Sequence, residues 1–365
     1  MKNKRILAWT LISMLLLSAC GGTSAPVSTT AAPSTAAPTT AAPTTAAPGG
    51  ASTSSGTPSV GKPAKQEIAT IVGGTTAGTY YVLASAIANI LNQNYSESFK
   101  ASATTASGTP NIMQLLQDNE AEFGFGQTGA AGQAYHGTGT FDRAHDNVAS
   151  IMFAYTQPIQ FLVNKDSGIE KIEDIRGKRY SVSGAGSGSE LNARDIFGFY
   201  DMNYVGVSNP PFIVEYTEIG QAGEQMDNKQ LDGVMLSTAL GASGVLEIMS
   251  RGHKLISIDE EVIQKLIDLD PSYMRFVIAA NTYPNQPEDV ITIAIPNYLF
   301  CRKNLSEEMV YWFTDAVYKY HDDLVMTHGS AVEIVPESTG LGMTVPLHPG
   351  AIKWFVDNGY EVPLN

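Results

Sequence analysis

Three stretches rich in glycine, serine and threonine carry the chemistry most open to a ligand. They are Gly73-Gly74-Thr75-Thr76-Ala77-Gly78-Thr79-Tyr80, Ser107-Gly108-Thr109 and Gly184-Ala185-Gly186-Ser187-Gly188-Ser189-Glu190. Each lies between an apolar run of strand type and a helical pattern. A helix start leaves N–H groups unpaired and carries the positive end of the helix dipole, so such a turn attracts an anion. Glycine lets a ligand approach the backbone, and the hydroxyls add donors. The same residues also suit plain capping: Ser187 with Glu190 forms an S-x-x-E capping box, and Thr109 precedes Pro110 as an N-cap. Recurrence of the turn, twice in one unit and once in another, favours an anion site. None of the three holds Lys or Arg, and Arg194 is spaced four residues from Glu190 for a helical ion pair.

Other chemistries lack their residues. The histidines 136, 145, 253, 321, 328 and 348 show no metal-ligand spacing, and neither G-x-S-x-G nor G-x-x-x-x-G-K-[ST] occurs. A G-x-G-x-x-G at Gly124, Gly126 and Gly129 falls on the third strand of its unit without a clear acidic ribose partner, so strand-end packing explains it better than a dinucleotide. No catalytic residue, metal or cofactor is expected. Cys20 and Cys301 are too few for a disulfide framework or a cysteine-rich zinc site, and Cys301 reads as a small core residue. The chain has 22 basic and 36 acidic side chains, net −14, and every acid lies at or beyond Glu67. So acidic a body repels phosphate backbones, which excludes nucleic-acid partners.

The elements that position these turns follow from periodicity. Strands are predicted at 66–74, 99–104 and 121–126, with helices over 76–91 and from Pro110 on. That β-α-β-α-β order specifies a doubly wound unit. A mixed apolar stretch, 151–163, crosses to a second such unit. There a short helix and turn (172–178), strands (179–183, 212–216, 231–236) and helices (187–199, 220–228) alternate. A strand over 290–300 returns to the first unit, and Ser306 caps a helix over 307–320. Two α/β units joined by two crossings leave a cleft, and in open α/β sheets ligands bind beyond the carboxyl ends of strands.

The N-terminal residues have a different character. Lys2, Lys4 and Arg5 precede the apolar run 6–17 and Leu17-Ser18-Ala19-Cys20, a secretory signal pattern ending in a lipobox-like site. A signal peptide is expected over 1–19, with Cys20 lipidated and anchored to the membrane. Residues 20–65, dominated by Ala, Thr, Pro, Ser and Gly, read as a spacer with polyproline II character.

With these motifs in hand, the chain resembles the TAXI family, the solute-binding receptors of one class of TRAP secondary transporters. The resemblance spans about 68–360 and rests on ordered motifs: GGTTAGTYY (73–81), SGTPNIMQLLQDNEAEFGFGQTGAA (107–131), IEDIRGKRYSVSGAGSGSELNARDIF (172–197), NTYPNQPEDVITIAIP (281–296) and PLHPGAIKWF (346–355). Ala77 stands where that family usually has glycine, and Gly129 where aspartate is common. The resemblance implies an α/β, two-lobed periplasmic-binding fold (type II-like) with a hinge, lobe 1 comprising 66–156 plus 284–365 and lobe 2 comprising 157–283. It implies a small carboxylate ligand, glutamate-like or 2-oxoglutarate-like, delivered by a monomeric extracytoplasmic receptor to a TRAP-type permease. Carried over by position, the ligand-binding residues would be Thr75, Thr76, Thr79, Tyr80, Ser107, Gly108, Gln127, Ser187, Gly188 and Ser189, with Tyr155 and Gln157 at the crossing. Tyr80 and Tyr155 serve equally well as core aromatics. Two other readings stand beside the receptor: a sensing subunit that presents solute to a membrane histidine kinase, and an extracytoplasmic enzyme on the same scaffold.

Overall fold

A computed structural model of the protein describes residues 58–362. The signal pattern, Cys20 and most of the Thr/Ala/Pro-rich stretch lie outside the described residues. Strands β1 (Glu67–Val72), β2 (Phe99–Thr104) and β3 (Phe123–Gln127) alternate with helices α1 (Thr79–Asn94) and α2 (Thr109–Gln117). β1 pairs in parallel with both neighbours, giving the order 2-1-3. Helix α3 (Thr128–His136) and the long strand β4 (Val148–Val163) lead to a second trio, β5 (Arg179–Ser181), β6 (Ile213–Glu215) and β7 (Gly233–Ser237). It is threaded by α4 (Gly188–Phe199) and α5 (Ile219–Asp227). β5 again lies between the two strands that follow it, so the second trio repeats the first.

The chain continues through α6 (Ser243–Ser250), β8 (Lys254–Ile256), α7 (Glu260–Leu269) and β9 (Met274–Ile278) to β10 (Val290–Arg302). β4 and β10 run antiparallel from Ala294↔Pro158 to Arg302↔Val148, with register shifts between Asn297 and Tyr298 and between Leu299 and Phe300. β10 also edges β3, and β4 also edges β7. These two strands are therefore the crossings between units. The result is the two-lobed α/β architecture of periplasmic-binding type. Helices α8 (Glu307–Lys319), α9 (His321–Thr327) and α10 (Pro349–Asp357) complete the first unit.

Burial follows the patterning. β3 (FGFGQ) is buried along its whole length, as strands covered on both faces must be. Its glycines are steric necessities: a Cβ on Gly124 would collide with Ile112 of α2, and one on Gly126 would stand 3.0–3.1 Å from Thr109, Met113 and Phe300. The G-x-G-x-x-G is thus a close helix–strand contact. One apolar core fills the first unit, around Leu83, Phe123 and Phe313. Two flank the second sheet, around Phe161 and Phe197 and around Leu162 and Met226. Cys301 is a fully buried free cysteine within the first core.

Several expectations need correction. Helix α1 starts at Thr79 rather than 76, because the chain first closes a turn in which Gly78 N donates to Thr75 O at 2.9 Å. Gly108, not Thr109, is the N-cap of α2; its φ of 134° favours glycine. The capping box at α4 is half formed. Ser187 Oγ accepts from Glu190 N at 3.2 Å, but the Glu190 carboxylate turns to Arg194 and Tyr204. The spacer, expected to run to 65, is packed from Ser59 to Lys62. Val60 is buried beside Tyr311 and Trp354, Ser59 N donates to Asp357 Oδ2 at 2.7 Å, and Trp312 Nε1 donates to Gly61 O at 2.9 Å. Lys62 lies over the Tyr95 and Trp312 rings. Aromatic partners just after α1 and on α8 and α10 thus recruit a segment whose composition alone reads as unstructured. The stretch 238–289, without a predicted element above, holds α6, β8, α7 and β9; Val262, Ile263 and Leu266 give α7 its buried stripe.

Candidate functional site

The carboxyl ends of all six parallel strands meet at one cavity of about 90 Å³. Its walls include Gly74, Thr75 and Gly78 after β1, Ser107 to Thr109 after β2, and Gln127 at the end of β3. Facing them are Ser183 and Ser187 to Ser189 after β5, Glu218 and Ile219 after β6, and Thr238 after β7. Tyr155 and Gln157 come from the β4 crossing. Of the twelve residues expected from sequence, eleven line this cavity; Thr76 is exposed and stays outside it.

The helix starts are arranged to accept negative charge. α1 and α2 begin at Gly78 and Gly108, which have no side chain to satisfy the first N–H groups, and α4 begins at Ser187. Unpaired N–H groups and three dipole ends thus converge on one space. Among the described residues no Lys or Arg lines it. The two basic residues flanking the third turn are committed elsewhere, Arg194 to Glu190 and Arg179 to Glu215. An anion placed here would meet only backbone and neutral donors.

The expected side chains divide by what they already bond. The Tyr80 hydroxyl donates to Asn297 Oδ1 and lies 3.1 Å from Gln157 Oε1, and its ring stacks on Phe125 with centroids 5.6 Å apart. Gln157 Nε2 donates onward to Ser237 O, so Tyr80 and Gln157 bridge the two units. Ser189 Oγ accepts from Ser237 N at 3.2 Å. Thr109 Oγ1 accepts from Gln127 N at 3.0 Å, and Thr79 Oγ1 lies 3.3 Å from Thr238 Oγ1 across the cleft.

Two groups are left over. The Tyr155 hydroxyl and Gln127 Oε1 are buried at the cavity without a hydrogen-bond partner among the described residues. A buried polar group left unpaired costs about 1–3 kcal/mol, so these atoms need an occupant. Burial pushes the Tyr80 and Tyr155 phenols well above their usual range, which keeps both protonated and able to donate.

The two units touch across the cleft. A Cβ on Gly108 would stand 3.1 Å from Ser187 Cβ, and one on Gly188 would stand 2.8 Å from Gln127 Oε1 and 3.2 Å from Thr109 Oγ1. This is a closed arrangement. At roughly 10–15 Å³ per water, the enclosed space holds roughly six to nine waters, or a solute of similar heavy-atom count.

Sequence reasoning missed Ser183, Glu218, Thr238 and Asn297. Ser183 has a φ of 70°, a strained conformation for a serine, held by its hydroxyl donating to Met235 O at 2.7 Å. Glu218 and Thr238 also sit where a strand gives way to a helix, but without the glycines that drew attention to the other turns. The strand-end rule would have found them.

The model of the NMT1-like family matches residues 70–359. Among solved structures, the chain is similar to the periplasmic aliphatic sulphonate binding protein SsuA from Escherichia coli, at 12% identity over 80% of this chain and 83% of that chain, with a TM-score of 0.43. It is similar to MatC from Rhodopseudomonas palustris with bound malate, at 12% identity over 80% and 97%, TM-score 0.49. A TRAP periplasmic solute binding protein from Sulfitobacter with bound β-D-galacturonate matches at 11% identity over 81% and 88%, TM-score 0.44.

Proposed function

Given that the chain belongs to the NMT1-like family, we propose that it is a solute-binding receptor for a small carboxylate of glutamate or 2-oxoglutarate size. The ligand would sit between lobe 1 (66–156 plus 284–365) and lobe 2 (157–283), which close on it about the β4 and β10 crossings. One observation carries this reading: the unpartnered, buried Tyr155 hydroxyl and Gln127 Oε1 border the same cavity as the starts of α1, α2 and α4. A carboxylate satisfies both features at once, taking N–H groups and a phenol as donors while the Gln127 amide pairs with the rest of the solute. Either orientation of that amide offers one group to the ligand.

The motif resemblance to the TAXI family points to a TRAP-type permease as the recipient, with Cys20 as the lipid anchor on the extracytoplasmic side. Among the described residues no helix is long and apolar enough to cross a membrane, so transport itself would belong to that partner. Thr75, Thr79, Ser107, Gly108, Gln127, Tyr155, Ser187, Gly188 and Ser189 would surround the ligand, with Tyr80 and Gln157 bracing them.

Native mass spectrometry on protein purified from rich medium tests the reading. A single small acidic metabolite should remain bound and be lost on unfolding. Protein that carries nothing, and whose melting temperature responds to no carboxylate, would refute the receptor assignment.

A further inference from the structure

The cavity described above contains one charged side chain, and its sign is opposite to what an anion site needs. Glu218 borders the cavity at the start of α5, but its carboxylate does not cap that helix. No Lys or Arg reaches the same space. The carboxylate lies over Gly184 of the third turn, so closely that a Cβ there would collide with Oε1. Two residues on, Gly220 stands opposite the first turn, 3.7 Å from Ala77 Cβ measured from where its own Cβ would be. Glu218 is therefore held at the cleft between the first and third turns, with room kept for it by a glycine.

An unpaired carboxylate partly removed from water is unfavourable unless something offsets it. Burial raises the Glu218 pKa, consistent with a site that lacks its counter-charge. A solute that places a cation beside Glu218 while its own carboxylate meets the helix starts would satisfy both ends of the cavity. A dicarboxylate without a cation would put like charges together there.

We propose that Glu218 is a specificity-determining residue that pairs with the ammonium group of the ligand, so that the receptor takes an α-amino acid rather than the corresponding 2-oxo acid or unsubstituted acid. This rests on the carboxylate-receptor reading and sharpens it. In space for roughly six to nine waters, an amino acid of moderate size fits.

The test is calorimetric titration of wild-type protein, Glu218→Gln and Gly184→Ala with the common L-amino acids and their matched 2-oxo and des-amino acids; L-glutamate, 2-oxoglutarate and glutarate form one such triplet. Wild type should bind an amino acid and reject its two analogues. Glu218→Gln should weaken that amino acid roughly tenfold to a hundredfold and leave or improve the analogues, with its melting temperature unchanged. Gly184→Ala, which displaces the carboxylate without removing it, should give the same pattern in smaller measure. If a 2-oxo or des-amino acid binds wild type as tightly as the amino acid, or if Glu218→Gln weakens all three alike, the assignment of Glu218 is overturned while the receptor stands. If wild type binds no member of the set, the receptor reading falls and this assignment with it.

Discussion

The two units repeat one topology and use it differently. In each, the middle strand of a parallel trio ends in a turn to a helix, and the next strand ends at the N-cap of a second helix. That N-cap is Gly108 in the first unit and Glu218 in the second. The first wall keeps two polar groups in reserve, the Tyr155 hydroxyl and Gln127 Oε1. The second wall has spent its hydroxyls: Ser183 on Met235 O, Ser187 on Glu190 N, and Ser189 on the Ser237 backbone. Topology alone thus places helix starts on both sides, but the polar side chains left without a partner differ in kind: a phenol and an amide on the first wall, the Glu218 carboxylate on the second. The serines most conspicuous in the sequence shape the second wall, and under the proposed function Tyr155, Gln127 and Glu218 would read the solute.

Closing the walls on each other should be the most sensitive property. Gly188→Val puts a side chain against Gln127 and Thr109 of the opposite unit, and overpacking of this kind costs about 1–3 kcal/mol. Ligand affinity should drop roughly a hundredfold, and small-angle scattering should no longer show compaction with ligand. Normal affinity in this variant would mean that the solute is held by one wall only.

Tyr155→Phe tests where recognition resides. Losing a hydrogen bond to a charged partner costs about 1.5–3 kcal/mol, so affinity should fall roughly tenfold to a hundredfold. The hydroxyl has no partner in the protein, so the melting temperature should hold. A loss of stability without a loss of binding would reduce Tyr155 to a core aromatic.

Ser187→Ala should do the reverse. The lost N-cap costs about 1 kcal/mol and lowers the melting temperature, while affinity stays within a few-fold because that hydroxyl already serves Glu190 N. A large affinity loss at unchanged stability would return the serine to the ligand.

The smallest effect concerns His328, behind the first wall, with Nε2 3.4 Å from Thr79 Oγ1. Burial lowers its pKa. As pH falls through about 6.5 the unfolded chain takes up the proton first, so this residue's share of stability is lost on acidification. His328→Asn should flatten the decline in unfolding free energy between neutral and mildly acidic pH. An identical slope would place the titration elsewhere.

Much of this was legible in the residue order. Ser306 announces α8 and does cap it, with Met309 N donating at 3.1 Å. The hydroxyl- and glycine-rich turns lead straight to the cavity because a helix start next to a strand end has few other ways to be built. What stayed hidden was hydrogen-bond bookkeeping. Whether Tyr80 or Tyr155 has a spare hydroxyl depends on Asn297, a residue far along the chain that only the β10 crossing brings alongside. Glu218 was invisible for a related reason: an acidic residue before a helix reads as an ordinary cap, and only the geometry shows that it does not cap. Segment 59–62 was misjudged because its order comes from partners more than 250 positions away rather than from its own composition.

That segment also sets how force enters the molecule. From Ser59 to Lys62 it is fastened to the first unit, on Asp357 and Trp312. Under the proposed anchoring at Cys20, a pull arriving through the preceding chain would enter at the first unit. If lobe 2 swings about β4 and β10 as proposed, it would do so without lifting this mooring, and tension along the chain would do no work on the opening and closing of the cleft.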